Sequence, residues 1–87
     1  MDRRKKYIDK GKWIRFVLIK GGDKTNVWRV VTKDLWDSLG EIKWFSRWRQ
    51  YAFFPFAGTI FEKTCLGDIA NFMEEKMLAR ENKERAK

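Results

Sequence analysis

The stretch that decides the fold is Trp13 to Lys20, WIRFVLIK, which is rich in β-branched and aromatic residues. Such a stretch predicts a β-strand, and the glycines and aspartate at positions 21–23 follow it with turn chemistry. A second stretch of the same kind, VWRVVT, runs from Val27 to Thr32. The two stretches therefore predict a β-hairpin.

Two more strands are predicted further along the chain. Gly40 opens a third strand over residues 41–45 (EIKWF), and residues 46–48 connect it to a fourth over residues 49–54 (RQYAFF). Pro55 ends the fourth strand because proline cannot donate a hydrogen bond to the ladder. The polar segment at 33–39 predicts a loop or a single helical turn.

The spacing of apolar residues changes in the last third of the chain. Apolar residues recur there at helical spacing, at Leu66, Ile69, Ala70, Phe72, Met73 and Met77. They predict a helix over about residues 63–80, with Thr64 as its cap. The fold class is therefore α+β, an antiparallel sheet of three to four strands with one C-terminal helix packed on one face. Residues 1–10 predict a basic, flexible arm, residues 11–82 a single domain, and residues 83–87 a frayed charged tail.

Strand alternation assigns side chains to the two faces of this sheet. The face under the helix is predicted to hold Ile14, Phe16, Leu18, Trp28, Val30, Ile42, Trp44, Tyr51 and Phe53. The opposite face is predicted to hold Trp13, Arg15, Val17, Ile19, Val27, Arg29, Val31, Lys43, Phe45, Gln50, Ala52 and Phe54. An antiparallel sheet with one helix normally leaves a polar outer face. This outer face is apolar and aromatic with three cations, so we expect something to bind there.

Charge and aromatic content bear on the nature of that ligand. The net charge is +8, and residues 1–33 hold 11 Lys and Arg against 3 Asp and Glu. Such asymmetry favours long-range attraction to polyanions; the alternative is a solubilising tail on an ordinary lysine-rich surface. Five Trp, seven Phe and two Tyr are more rings than one small core is expected to hide.

Catalysis is not indicated. The chain has no histidine, which removes the commonest general base, and Cys65 has no partner for nucleophilic catalysis. Asp34 and Asp37 suit a turn better than a carboxylate pair, and no metal-ligand spacing exists. We expect neither enzyme activity nor a cofactor or metal. With one cysteine, no membrane-length apolar run and no signal peptide, the expected location is cytoplasmic, with no membrane association.

Nucleic-acid binding is the favoured function, because cations and aromatic rings are interleaved along the chain. Lys and Arg release counterions from phosphates, and rings stack on exposed bases. DNA or RNA would be contacted by Arg15, Arg29 and Lys43 from the sheet face and by Arg47 and Arg49 from the adjoining turn. Trp13 and Phe45 would supply stacking, and a basic arm at residues 3–6 would follow the backbone. Trp44 and Trp48 have equal claims as core residues.

Protein binding is the main alternative. Trp, Tyr, Phe, Met and Arg are enriched at the centres of interfaces. The same aromatic face could therefore act as an adaptor or inhibitor surface for a host protein, or close a homodimer.

A pattern of aromatic residues resembles a known family. The run Leu39-Gly40-x-Ile42-x-Trp44-x-x-x-Trp48-Arg49-x-Tyr51-x-Phe53-x-Pro55, followed by Cys65-Leu66-x-Asp68-Ile69-x-x-Phe72, resembles small uncharacterised proteins of phages and prophages. That resemblance implies a phage context and no mechanism. Strands followed by one helix are also similar, at the level of the fold alone, to the N-terminal DNA-binding domains of phage-type tyrosine integrases, which lay a sheet face into the major groove.

Overall fold

The computed structural model describes residues 7–22 and 25–85 as an α+β fold in which one helix covers one face of an antiparallel sheet. The sheet has five strands in the order β1-β2-β3-β4-β5, each paired with the next along the chain. The elements are β1 (Tyr7–Ile8), β2 (Ile14–Gly21), β3 (Asn26–Thr32), β4 (Ser38–Phe45), β5 (Gln50–Pro55) and α1 (Lys63–Arg85).

The strand count corrects the prediction of three to four strands. The additional strand is β1, which pairs with β2 through Tyr7 opposite Val17 and Ile8 opposite Phe16. It lies within the segment predicted as a flexible arm, and two residues are too few to show an alternating pattern. Residues 1–6 of that arm, and the last two residues of the predicted tail, lie outside the described residues.

The helix also differs from its predicted bounds and cap. It continues to Arg85, beyond the predicted end near position 80. Its first turn is capped by Glu62 and not by Thr64: the Leu66 amide donates to the Glu62 carbonyl, and the Thr64 amide donates to the Glu62 carboxylate. A cap residue precedes the helix and satisfies its unpaired amides. Within the described ranges, no helix combines the length and apolar character that a membrane span requires.

The core lies between the helix and the predicted face of the sheet. Phe72 of α1 stacks on Phe16 with ring centroids 4.0 Å apart and meets Trp28 edge-on at 5.1 Å. Of the nine predicted core residues, six are buried and the other three pack against them: Ile14, Phe16, Trp28, Val30, Ile42 and Tyr51, with Leu18, Trp44 and Phe53 around them. The assignment of the core face is therefore confirmed, and within the described ranges no helix lies on the other face of the sheet.

Two hairpin loops share one backbone geometry. In residues 33–36 and again in residues 46–49, the last residue is left-handed: Trp36 has φ 59° and Arg49 has φ 56°. Their amides donate to the carbonyls of Thr32 and Phe45 respectively, which closes each loop. Non-glycine residues rarely adopt this conformation, and for a bulky side chain it is strained. The loops therefore fix Trp36 and Arg49 in defined positions beside the uncovered face.

Candidate nucleic-acid interface

The outer face, meaning the side of the sheet opposite α1, is built from one cross-strand row and the residues around it. In that row Tyr7 lies opposite Val17, Val17 opposite Arg29, Arg29 opposite Glu41, and Glu41 opposite Phe54. Side chains on one face of paired strands contact their cross-strand neighbours. The row thus places an oppositely charged pair, Arg29 and Glu41, on the central strands between apolar groups on either side.

Glu41 is a counter-charge that the sequence prediction left off this face. Its carboxylate lies 2.9 Å from the Arg29 guanidinium and 3.9 Å from the Lys43 ammonium. The Arg29 and Lys43 side chains are 36% and 43% exposed. Glu41 itself is 20% exposed and its hydrogen bond to Arg29 is part-buried, so salt screens this pair less than a surface pair. Lys43, which is farther from Glu41 and more exposed, remains better able to attract an anion.

Arg15 is occupied inside the protein. Its guanidinium lies 3.6 Å from the Asp9 carboxylate and donates to the Lys33 carbonyl at 3.2 Å. It also lies 5.1 Å from the ring of Tyr7 and 4.7 Å from the ring of Trp36. With its side chain 20% exposed, Arg15 holds β1 and the β3–β4 loop on the sheet more than it presents charge to solvent.

Asp9 links the same region to a second cation. The Lys33 ammonium lies 2.8 Å from the Asp9 carboxylate. This hydrogen bond, with help from the Arg15 charge, holds the pKa of Asp9 below its usual value. Asp9 therefore compensates part of the positive charge of Arg15 and Lys33, two of the cations in the first third of the chain.

An aromatic cluster of Phe45, Trp48 and Phe54 stands at the β4–β5 end of the outer face. Phe45 meets Trp48 edge-on with centroids 4.8 Å apart and meets Phe54 at 6.0 Å. Trp48 is 63% exposed, although a place in the core was predicted as an equal alternative for it. The position of Trp48 at the third residue of the loop places it outside the sheet layer. The cluster presents a large indole surface to solvent.

Free positive charge surrounds this cluster. Arg47 and Arg49 flank Trp48 and are exposed, and neither forms an ion pair with any residue that the structure describes. The Lys43 ammonium lies 4.7 Å from the centre of the Phe54 ring. The sequence from Ile42 to Phe61 contains no acid at all. This end of the molecule is therefore cationic as well as aromatic.

A groove with a volume of about 300 Å³ occupies the other end of the outer face. Its floor includes Val17 and Val31, and Tyr7 and Trp36 stand beside it with centroids 5.3 Å apart. Val31 is 4% exposed although it faces away from the core cluster. Its burial shows that residues of β1 and of the β3–β4 loop partly cover the outer face, which alternation within a strand could not reveal.

The structure separates the residues predicted to form one site. Lys43, Phe45, Arg47 and Arg49 lie together at the β4–β5 end, and Arg29 lies between the two ends. Trp13 is 54% exposed but lies beside Lys33, whose amide donates to the Trp13 carbonyl. Lys33 belongs to the loop that leads into Ser38, at the start of β4, whereas Phe45 is the last residue of β4. At about 3.3 Å per residue, the seven steps from Ser38 to Phe45 cover about 23 Å. Trp13 therefore does not share a site with Phe45.

The side chains considered for catalysis, Asp34, Asp37 and Cys65, make the contacts of structural residues. Asp34 accepts a hydrogen bond from the Leu35 amide, and the Asp37 amide donates to the Thr32 hydroxyl, as expected of turn residues. Burial, followed by the nearby Glu62 charge, raises the pKa of the Cys65 thiol. In the parts of the chain that the structure describes, no three His, Cys, Asp or Glu residues are placed to hold a metal ion.

A phage protein is similar to this chain. It is an uncharacterized 9.3 kDa protein of Acholeplasma phage L2, 32% identical over 69 residues, which cover 78% of this chain and 88% of that protein. No protein-family model matches the chain, and no solved structure matches it. The match agrees with the resemblance to small phage proteins.

Proposed function

The chain belongs to the same family as the 9.3 kDa protein of Acholeplasma phage L2, and we propose that it is a small phage-type protein that binds nucleic acid through the outer face of its sheet. Binding, and not catalysis, is its role. One observation carries the proposal: the exposed Trp48 lies between Arg47 and Arg49 in the β4–β5 loop, within a stretch from residue 42 to residue 61 that contains no acid.

Each part of this hairpin matches a part of a nucleic acid. Arg47, Arg49 and Lys43 neutralise phosphates and release the counterions condensed on them. Trp48, supported edge-on by Phe45 at 4.8 Å, offers the face of its ring to a base. Arg29 adds a further cation, weakened by Glu41. Arg15 acts as a positioning residue because its guanidinium is already held by Asp9 and by the Lys33 carbonyl.

Fluorescence anisotropy with labelled DNA and RNA, single-stranded and duplex, tests the proposal. If three cations contact phosphates, the logarithm of the binding constant should fall with the logarithm of salt concentration with a slope of about −2 to −3. Arg47→Glu should weaken binding about tenfold at low salt and make that slope less steep by about one. The matched control is Lys63→Glu, the same charge change on an exposed residue at the start of α1, which should leave binding unchanged.

The stacking contact has its own matched pair of variants. Trp48→Ala should weaken binding about 5- to 150-fold, because a stacked base contributes about 1–3 kcal/mol. Leu66→Ala removes another half-exposed apolar side chain, on the helix, and should have no effect. No binding of any of the four polymers at low salt would refute the proposed function, as would equal losses for Arg47→Glu and Lys63→Glu.

A protein interface on the same face is the second candidate, and the groove lined by Val17, Val31 and Trp36 favours it. Its floor is apolar, and the cations nearest to it are paired with acids. Light scattering over a range of concentrations tests the homodimer. Concentration-dependent dimers that disappear on Phe45→Ser, together with no binding to nucleic acid, would favour this candidate over the first.

A further inference from the structure

We propose that the nucleic acid bound by the outer face is single-stranded and runs from the cluster of Phe45, Trp48 and Phe54 to the groove lined by Val17, Val31 and Trp36. This inference rests on the proposed function and adds the class of polymer and its path. In this proposal the two separate ends of the outer face bind different parts of the same strand.

The rings at both ends favour unpaired bases. Trp48 is 63% exposed and Trp36 is 42% exposed. The bases of a duplex are stacked on each other and present only their edges and the backbone, so a duplex leaves an indole face without a partner. In a single strand the bases can be splayed apart and stacked on aromatic side chains. Duplex DNA therefore leaves the exposed Trp48 ring unused, and also the part of the Trp36 ring that Arg15 and Tyr7 leave exposed.

The groove has the volume and lining to hold one flat group. Its volume of about 300 Å³ lies over the apolar side chains of Val17 and Val31, beside the ring of Trp36. Arg29 and Ser38 also line it and supply polar groups at its side. The Nε atom of Arg29 is buried and has no hydrogen-bond partner among the described residues. A planar, hydrogen-bonding ring such as a nucleobase suits this combination.

The backbone at Trp36 supports a binding role for its side chain. Its φ of 59° is a conformation that favours glycine or asparagine. Strain of this kind is concentrated at functional sites. The strained residue is an indole that remains 42% exposed beside the groove, so the loop holds the ring at the surface.

Positive charge connects the two ends. Arg29 lines the groove, and Lys43 lies beside Phe54 in the cluster at the other end. Both lie close to Glu41, and the longer Lys43–Glu41 pair, with Lys43 43% exposed, is the one that a phosphate can replace more easily. The distance of about 23 Å along β4 corresponds to roughly seven nucleotides at the stacked rise of about 3.4 Å, and to fewer in an extended strand. The affinity should therefore rise steeply once the strand can reach both ends.

The test uses oligothymidylates and oligouridylates of about 4, 8 and 12 nucleotides, lengths within the range of about 4–16 known for single-strand sites. A duplex of about 12 base pairs serves for comparison. Wild-type protein should bind the 8-mer about tenfold or more tightly than the 4-mer, gain little from 8 to 12, and bind the duplex more weakly than the 12-mer. Trp36→Asn keeps the left-handed backbone and removes the ring. It should abolish the gain from 4 to 8 and leave 4-mer binding, which uses the Trp48 cluster, unchanged.

Ile19→Glu provides a second variant, because Trp36 also packs on Arg15 and Tyr7. Ile19 lines the groove, is 45% exposed, and carries no ring. A glutamate at position 19 should remove the gain in affinity from the 4-mer to the 8-mer without disturbing the β3–β4 loop. Equal or tighter duplex binding, or a gain from 4 to 8 that survives both variants, would overturn the single-strand inference and leave the proposed function standing. Failure of every nucleic acid to bind would instead overturn the proposed function itself.

Discussion

Replacing Gly40 by alanine should destabilise the protein, because β4 and β5 approach each other closely at this residue. A Cβ atom built at Gly40 lies 2.7 Å from a ring carbon of Phe53 and 2.7 Å from the backbone carbonyl oxygen of Phe54. Side-chain ends can move, but the Phe54 carbonyl belongs to the strand that pairs with β4. The added methyl group must therefore shift the hairpin that carries Trp48.

The size of the effect follows from two opposing contributions. Overpacking of this kind lowers the free energy of unfolding by about 1–3 kcal/mol. Gly→Ala also lowers the entropy of the unfolded chain, which raises the free energy of unfolding by about 0.4–1 kcal/mol. The net change in unfolding free energy for Gly40→Ala is therefore a loss of about 1–2 kcal/mol. For a chain of this size each kcal/mol shifts Tm by about 4–8 °C, so we expect Tm to fall by about 5–15 °C.

Gly67→Ala is the matched control. The same methyl group at Gly67, in the exposed part of α1, meets nothing within 4 Å. Alanine is a better helix former by about 0.8–1 kcal/mol, so Tm should rise. Thermal unfolding followed by circular dichroism measures both variants side by side. A Gly40→Ala protein as stable as the wild type would refute the register of β4 and β5.

Three further predictions concern charge and chemistry. Glu41→Gln frees Arg29 from its ion pair and should tighten nucleic-acid binding about two- to fivefold at low salt, measured by anisotropy; weaker binding would contradict the account. Asp9→Asn should lower Tm at neutral pH, because Lys33 depresses the folded-state pKa of Asp9. That stabilisation is present above the unfolded-state pKa of Asp9 and is lost as pH falls through its lower folded-state pKa. The Tm values of the wild type and the variant should therefore converge in acid. A difference in Tm that stays constant with pH would argue against the ion pair. The Cys65 thiol, its pKa raised by burial, should react with iodoacetamide more slowly in the native than in the unfolded protein, and equal rates would contradict its burial.

Strand alternation was sufficient to predict the core face. Ile14, Phe16, Trp28, Val30 and Ile42 are all buried, as their spacing indicated. This part of the fold could be predicted because side chains two residues apart in a strand share a face whatever their partners are. The helical periodicity from Leu66 to Met77 predicted α1 for the same local reason, but Leu66 and Ala70 of that stripe are exposed, and Cys65, Ile69 and Phe72 form its buried side.

The parts that the sequence did not reveal depend on contacts between distant segments. β1 exists because Tyr7 and Ile8 pair with β2, and the burial of Val31 depends on cover from outside its own strand. The exposure of Trp48 follows from its place in a hairpin loop and not from its residue type. Glu41 could have been found, because it shares the alternation of Lys43 and would have shown that the outer face carries its own counter-charge.

The most direct test of the central claim is a ¹H–¹⁵N correlation spectrum of the five indole groups during titration with a single-stranded oligonucleotide. Trp48 on the exposed hairpin should shift first and furthest, Trp36 should follow with a strand long enough to reach the groove, and the buried Trp28 should not move. A titration in which the Trp48 signal stays in place while protein and oligonucleotide associate would contradict binding through the outer face.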